Sequence, residues 1–225
     1  MVLRSVALLL TVAASLAAQA NINAVPVWDG SNNISSFGVP DTATYGQTIT
    51  IATGTGALLN YAFEIGHCNA TVTFRGEIFA WDLTNQRATG ASLFESPAKT
   101  VTASGTYQLV VIDTSSLALA PGNYVLFVST SKDQAGSVGC QFGSVVNATY
   151  PGGQFVYINN GTTVASWTGL QWSTITQDLA FQANFVGGNL PTTAAPSTLV
   201  LTFTALLAAI LWGYSKSRSR AAVSI

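Results

Sequence analysis

Histidine is all but missing from this chain: His67 is the only one in 225 residues, and cysteine occurs only twice, at Cys68 and Cys140. A single imidazole cannot build the multi-histidine ligand sets of zinc enzymes. It also leaves any Ser-His-Asp arrangement resting on one residue beside a cysteine. Charged side chains make up only 8% of the chain, and neither a Gly-x-Ser-x-Gly elbow nor a Walker-type phosphate loop occurs. These absences predict no catalytic residue, no bound metal and no cofactor. An amphipathic helical period longer than two turns is lacking as well, which argues against a helical domain.

The charges that are present are unevenly placed. All nine acidic residues lie between Asp29 and Asp178, where only Arg75, Arg87, Lys99 and Lys132 oppose them, so this region carries a net charge near −5. A surface of that sign repels phosphate backbones, and no basic patch interleaved with aromatics offsets it; nucleic acid is therefore excluded as a partner. A glycan hydrolase would need two carboxylates across a cleft, for which Glu64, Glu77, Asp82 and Glu95 qualify by residue type alone. Glu77 shares the polar face of a strand pattern with Arg75, and Asp82 opens the turn "WDLTNQ", where aspartate serves the backbone. The oxygen-rich loop "PDTAT" at 40–44 is the best calcium candidate, but it lacks EF-hand spacing.

Long apolar runs occur only at the two ends. Residues 1–20 combine a basic start at Arg4, the apolar stretch "SVALLLTVAASLA" and the small-x-small triplet "AQA", the pattern of a cleaved signal peptide. Residues 197–214 hold no charge and would span roughly 27 Å as a helix, enough for a thin bilayer core. Trp212 and Tyr214 close that run at the expected interface, and Lys216, Arg218 and Arg220 follow as the cytoplasmic cluster. The expected organisation is thus a signal peptide (1–20), an extracellular domain (21–186), a short Gly, Pro and Thr-rich stalk (187–196), a transmembrane helix (197–214) and a basic cytoplasmic tail (215–225). The membrane is the partner this layout implies, with the N-terminus extracellular or lumenal.

Between those ends the sequence is rich in β-branched and aromatic residues separated by Gly, Pro and Asn. Strands are predicted at 47–53, 58–65, 70–82, 106–113, 123–131, 154–159 and 179–185. In "ATVTFRGEIFAW", Val72, Phe74, Ile78 and Ala80 share one face while Thr71, Thr73, Arg75 and Glu77 share the other. Gly76 interrupts the apolar face and marks a bulge or a close approach of two sheets. Turns such as "PGN", "PGG" and "NNG" separate the strands. The fold expected is all-β: an antiparallel, jelly-roll-like β-sandwich followed by the one transmembrane helix.

In an exported chain, Cys68 and Cys140 are expected to form one intramolecular disulfide, the alternative being two free or intermolecular thiols. Asn33, Asn69, Asn147 and Asn160 head Asn-x-Ser/Thr sequons and are N-glycosylation candidates. Trp167 and Trp172 flank "TGLQ" and are the candidate sugar-stacking pair, with Trp81 and Tyr150 as further aromatics; core packing competes for all of them.

The segments "ATYGQTITI" (43–51), "FAWDLTNQRATGASLFES" (79–96) and "LALAPGNYVLFVST" (117–130) resemble the extracellular β-rich domain of bacterial surface proteins that end in a PEP-CTERM sorting tail. The tail at 194–198, "AAPST", keeps Pro-Ser-Thr without the preceding Pro and Glu. The resemblance implies an exported surface or matrix protein. The expected function is a non-catalytic, single-pass type I cell-surface protein whose ectodomain serves adhesion, recognition or structure, with a glycan or a protein as ligand. A carbohydrate-binding module is the first alternative and a glycan-active hydrolase the second.

Overall fold

The structure is a computed structural model that describes residues 21–186, apart from 54, 55, 135 and 148. The expected signal peptide, stalk, transmembrane helix and tail lie outside the described residues. Among the described residues no helix is long and apolar enough to cross a membrane.

Alternating side chains and closely spaced turns build fourteen strands from this sequence. The first seven are β1 (Ile22–Asn23), β2 (Asn33–Phe37), β3 (Thr44–Ile51), β4 (Leu58–Cys68), β5 (Val72–Asp82), β6 (Arg87–Glu95) and β7 (Lys99–Val101). The second seven are β8 (Ser104–Leu117), β9 (Gly122–Ser129), β10 (Cys140–Val145), β11 (Phe155–Ile158), β12 (Ser173–Ile175), β13 (Asp178–Leu179) and β14 (Phe181–Phe185). One short helix, α1 (Ser166–Gly169), interrupts them. All seven predicted strands are present; β2, β6, β7 and β10 are strands that Gly, Ser and Lys content disguised as loop.

Two antiparallel seven-stranded sheets result, consistent with a β-sandwich. The first runs β1-β14-β4-β10-β13, with β8 paired to the other side of β4 and β2 paired to β10. The second runs β12-β11-β3-β9-β5-β6, with β7 beside β5. Their inner faces meet in a core dominated by aromatic rings. Phe37, Tyr45, Phe74, Phe142 and Phe155 form a run of tilted and edge-on contacts with centroids 4.9–5.9 Å apart. Such geometry pairs ring edges with ring faces and adds to the burial of their area.

Gly76 lies at a tight contact between the sheets. A Cβ there would sit 2.5 Å from Tyr61 Oη and 2.6 Å from an Ile112 methyl, so the glycine reflects sheet contact rather than a bulge. Tyr61 Oη occupies that gap because it donates to the Phe127 carbonyl at 3.0 Å, satisfying a fully buried hydroxyl. The disulfide joins Cys68 at the end of β4 to Cys140 at the start of β10, 72 residues apart. In the chain-entropy view, closing a loop of that length is worth about 4 kcal/mol.

Candidate functional site

The outer face of the second sheet is covered over β5, β9 and β11. Beyond Glu77, the outward side of β5 carries Phe79 and Trp81, and segment 159–172 folds over them to form a second small core with Phe127, Val156 and Ile158. Trp167 and Trp172 are its lid, 4% and 1% exposed, with their rings 5.1 and 5.3 Å from Phe127. Trp167 Nε1 donates to Thr44 Oγ1 and Trp172 Nε1 to the Trp167 carbonyl. This corrects the sugar-stacking assignment: both indoles are committed to packing and neither presents a face to solvent. Trp81 is buried in the same cluster.

The same lid takes in one of the four sequons. Asn160 is buried; its Oδ1 accepts from Thr44 Oγ1, and its Nδ2 donates to Ser131 Oγ at 2.8 Å and to the Thr163 carbonyl. Both amide hydrogens are used, so the Asn160 sequon is corrected from a surface acceptor to a structural amide. Asn33, Asn69 and Asn147 are exposed.

Most of the candidate acids are likewise engaged. Lys132 Nζ bridges Glu77 Oε1 at 2.8 Å and Glu95 Oε2 at 2.6 Å, and it lies 5.2 Å from the Trp167 ring. Arg75 continues the network to Glu95 and Asp133. Burial pushes the Glu77 carboxyl up against the pull of Lys132, whereas the Lys132 hydrogen bond holds Glu95 down. Asp82 caps its turn through the Thr84 and Asn85 amides, and its hydrogen bonds with Asn85 lead in holding its carboxyl low. Among the described residues no group of three or more His, Cys, Asp or Glu is arranged to hold a metal ion.

The outer face of the first sheet is open. Register sets its side chains in rows across β14, β4 and β8: Asn184, Asn60 and Asp113; Gln182, Ala62 and Val111; then Glu64 and Leu109. Leu109 and Val111 are 38% and 41% exposed. Burial alone raises the Glu64 carboxyl on this face. The next row pairs Gly66 with Tyr107, whose hydroxyl donates to Gln141 Oε1 at 2.8 Å.

Tyr107 is the centre of a small aromatic group. The Trp28 ring stands edge-on to it with centroids 4.8 Å apart, and the His67 ring lies at the same separation. A register shift between Gly66 and Cys68, with His67 at a φ of 48°, turns that imidazole toward Tyr107. Trp28 reaches the face because β10 offers a glycine beneath it: a Cβ on Gly143 would lie 2.8 Å from the indole. Its Nε1 donates to the Asn32 carbonyl, and Asp29 accepts the Ser31 and Asn32 amides to fix the loop. Beside this loop is a cleft of about 330 Å³ whose lining includes Val27, Trp28, Asp29, Val146 and Asn147.

Sequence reasoning overlooked Trp28, Tyr107, Leu109 and Val111 as surface groups. In "TYQLVVID" both faces carry apolar residues, and alternation alone does not say that Val110 and Ile112 turn inward. The faint signal was Gln108, whose polarity is misplaced for an inward face and marks the end of β8 that runs past the core. An open, weakly charged sheet face with apolar and aromatic groups in register is suited to contact, not bond-making. No protein-family model, curated protein or solved structure matches the chain.

Proposed function

We propose that this chain is a non-catalytic cell-surface protein whose domain 21–186, a jelly-roll-like sandwich, presents the outer face of its first sheet to a ligand. In this reading residues 1–20 direct export, residues 197–214 anchor the chain N-out, and the basic tail stays in the cytoplasm. The observation that carries it is the contrast between the two faces: one is closed by its own tryptophans, whereas the other leaves Leu109 and Val111 exposed beside Tyr107 and Trp28. The intramolecular disulfide supports an oxidising compartment. The likeness of segments 43–51, 79–96 and 117–130 to PEP-CTERM surface domains favours surface display in the same direction.

Carbohydrate recognition is the second reading, and it now rests on Trp28 and Tyr107. These rings lie beside the Gln141 amide and the cleft at Asn32 and Asn147, a combination of stacking surface and hydrogen-bonding groups. The hydrolase reading gains nothing, since Glu77 and Glu95 share one ammonium group and Asp82 caps a turn.

Two experiments test the proposal. Antibodies to the two ends, applied to intact and permeabilised cells, are expected to reach the mature N-terminus in both and the C-terminus only after permeabilisation. A glycan array probed with the full chain in detergent separates the ligand classes. Specific binding lost in Trp28→Ala or Tyr107→Ala assigns the face to sugars; no binding leaves it to a protein. Detection of both ends inside the cell contradicts the proposal.

A further inference from the structure

We propose that β8 is a self-association edge: two copies of this chain pair antiparallel along β8 about a two-fold axis at Leu109, joining their first sheets. The inference deepens the surface-protein reading by naming a second copy as the partner.

Among the described residues β8 is the long edge left open. It has fourteen residues and pairs only with β4, on one side. The other marginal strands are protected. β1 and β13 have two residues each, β7 and β12 three, and the five-residue β2 is interrupted by a register shift opposite β10 between Cys140 and Phe142. β6, with nine residues, shifts register opposite β5 between Ile78 and Ala80, ends on the ion-paired Glu95 and receives the Trp172 amide at Gln86. Natural edges are normally blunted by such shortness, charge, proline or bulges. Between Lys99 and Asp113, β8 and its approach contain neither a charge nor a proline. The register shifts opposite β8 fall near its two ends, leaving the middle regular from Asn60↔Asp113 to Gly66↔Tyr107.

Charge selects the occupant. Each domain is net near −5, so two copies repel at a distance and approach at least cost where neither presents an ion. The β8 edge as far as Ile112 meets that condition, and antiparallel pairing sets its own alternation against itself, as an isologous two-fold contact requires. Leu109 and Val111 of one copy then lie near Leu109 and Tyr107 of the other on the outer face, extending the apolar strip already there. A partner selected by charge would find nothing on this edge to pair with. The stretch from Ser104 to Ile112 measures about 30 Å, and pairing along it buries roughly 500 Å² per copy, less than the roughly 800 Å² per partner of a standard stable interface. The dimer is therefore weak in dilute solution and gains population when copies are crowded in one membrane.

Disulfide cross-linking of the full chain in its membrane tests this. Cysteine is placed singly at Gln108, Leu109, Val110 and Val111, with Leu83→Cys, exposed in the turn between β5 and β6, as control. Oxidation is expected to yield a species of twice the chain mass at one or two neighbouring β8 positions and only background at Leu83. Adding Leu109→Lys to the Val110 or Val111 cysteine variant, which sets two like charges face to face at the axis, lowers the yield about tenfold. Raising salt increases the yield in the parent cysteine variant. A dimer yield no higher than the control's at all four positions, or an adduct with a different protein, overturns the proposal. Protection of Cys68 and Cys140 from alkylation without reductant confirms that each variant has folded. A membrane-impermeant maleimide reports on the same cysteines in intact cells, so loss of surface display is distinguished from loss of pairing.

Discussion

The two outer faces of this domain begin from similar strand chemistry and end in opposite states. On the second sheet, outward Phe79 and Trp81 acquire a cover of Trp167 and Trp172, and Asn160 and Ser131 satisfy the polar groups that the cover buries. On the first sheet, outward Leu109 and Val111 have no such cover among the described residues, and their row neighbours are small or polar: Ala62, Gln182 and Glu64. An aromatic lid needs both a ring-sized apolar surface and hydrogen-bond partners for its indole nitrogens. The second sheet supplies Thr44 Oγ1 for that purpose, and the lid itself supplies the Trp167 carbonyl. A face can therefore be read as core or contact surface only when the segment that covers it is known.

The largest expected effect breaks the sealed side. Trp172→Ala empties a fully buried, hydrogen-bonded site and is expected to cost about 3–5 kcal/mol, whereas Leu109→Ala on the open face costs less than about 1 kcal/mol. Denaturant titration followed by far-UV circular dichroism measures both; equal losses would erase the distinction between the faces. Next is Gly76→Ala, whose added methyl must displace Tyr61 or Ile112 at a tight contact between the sheets. The expected loss is about 1–3 kcal/mol, against almost none for an alanine at Gly105, where nothing lies within 4 Å and the backbone is outside the left-handed region.

A smaller effect comes from the ion network that borders the sealed face. Burial raises the folded Glu77 carboxyl above its ordinary 4.5, so the folded state holds that proton more tightly than the unfolded chain. Its contribution is greatest below 4.5 and is lost as pH rises through the raised folded value. Glu95 behaves oppositely: the Lys132 hydrogen bond depresses its carboxyl, and its contribution is lost as pH falls below 4.5. Midpoints measured across pH are expected to lose their decline above 4.5 in Glu77→Gln and their decline below 4.5 in Glu95→Gln. Identical profiles in both variants would contradict the assignment. The smallest effect concerns glycans: in a eukaryotic host, peptide mapping is expected to find Asn33, Asn69 or Asn147 occupied and Asn160 bare in folded protein. A folded species modified at Asn160 would mean the lid opens.

Much of the strand layout was legible in the sequence because β-branched and aromatic runs between Gly, Pro and Asn turns state their own structure. The Cys68–Cys140 pairing was legible as the economical expectation for two cysteines in a chain read as exported. Gly76 announced a special contact, although its alternatives were separated only by Tyr61 and Ile112 lying opposite. The site was far less legible. Trp167 and Trp172, flanking the turn-like "TGLQ", left sugar stacking and core packing both open, because the destination of a loop depends on long-range partners such as Phe127 and Thr44. Asn160 matched a sequon by three letters, while its burial depends on Ser131 and Thr44, far away in sequence. Trp28 gained its place through the missing side chain of Gly143, a relation that no local pattern encodes.

Hydroxyl-radical footprinting of the full chain, at low and high protein density, tests the contrast between the faces most directly. The account predicts that Trp28, Tyr107, Leu109 and Val111 react at low density and that Leu109 and Val111 become protected at high density, with Trp167 and Trp172 silent throughout. Strong oxidation of Trp167 and Trp172 in folded protein, with reactivity at Leu109 and Val111 unchanged by density, would contradict it.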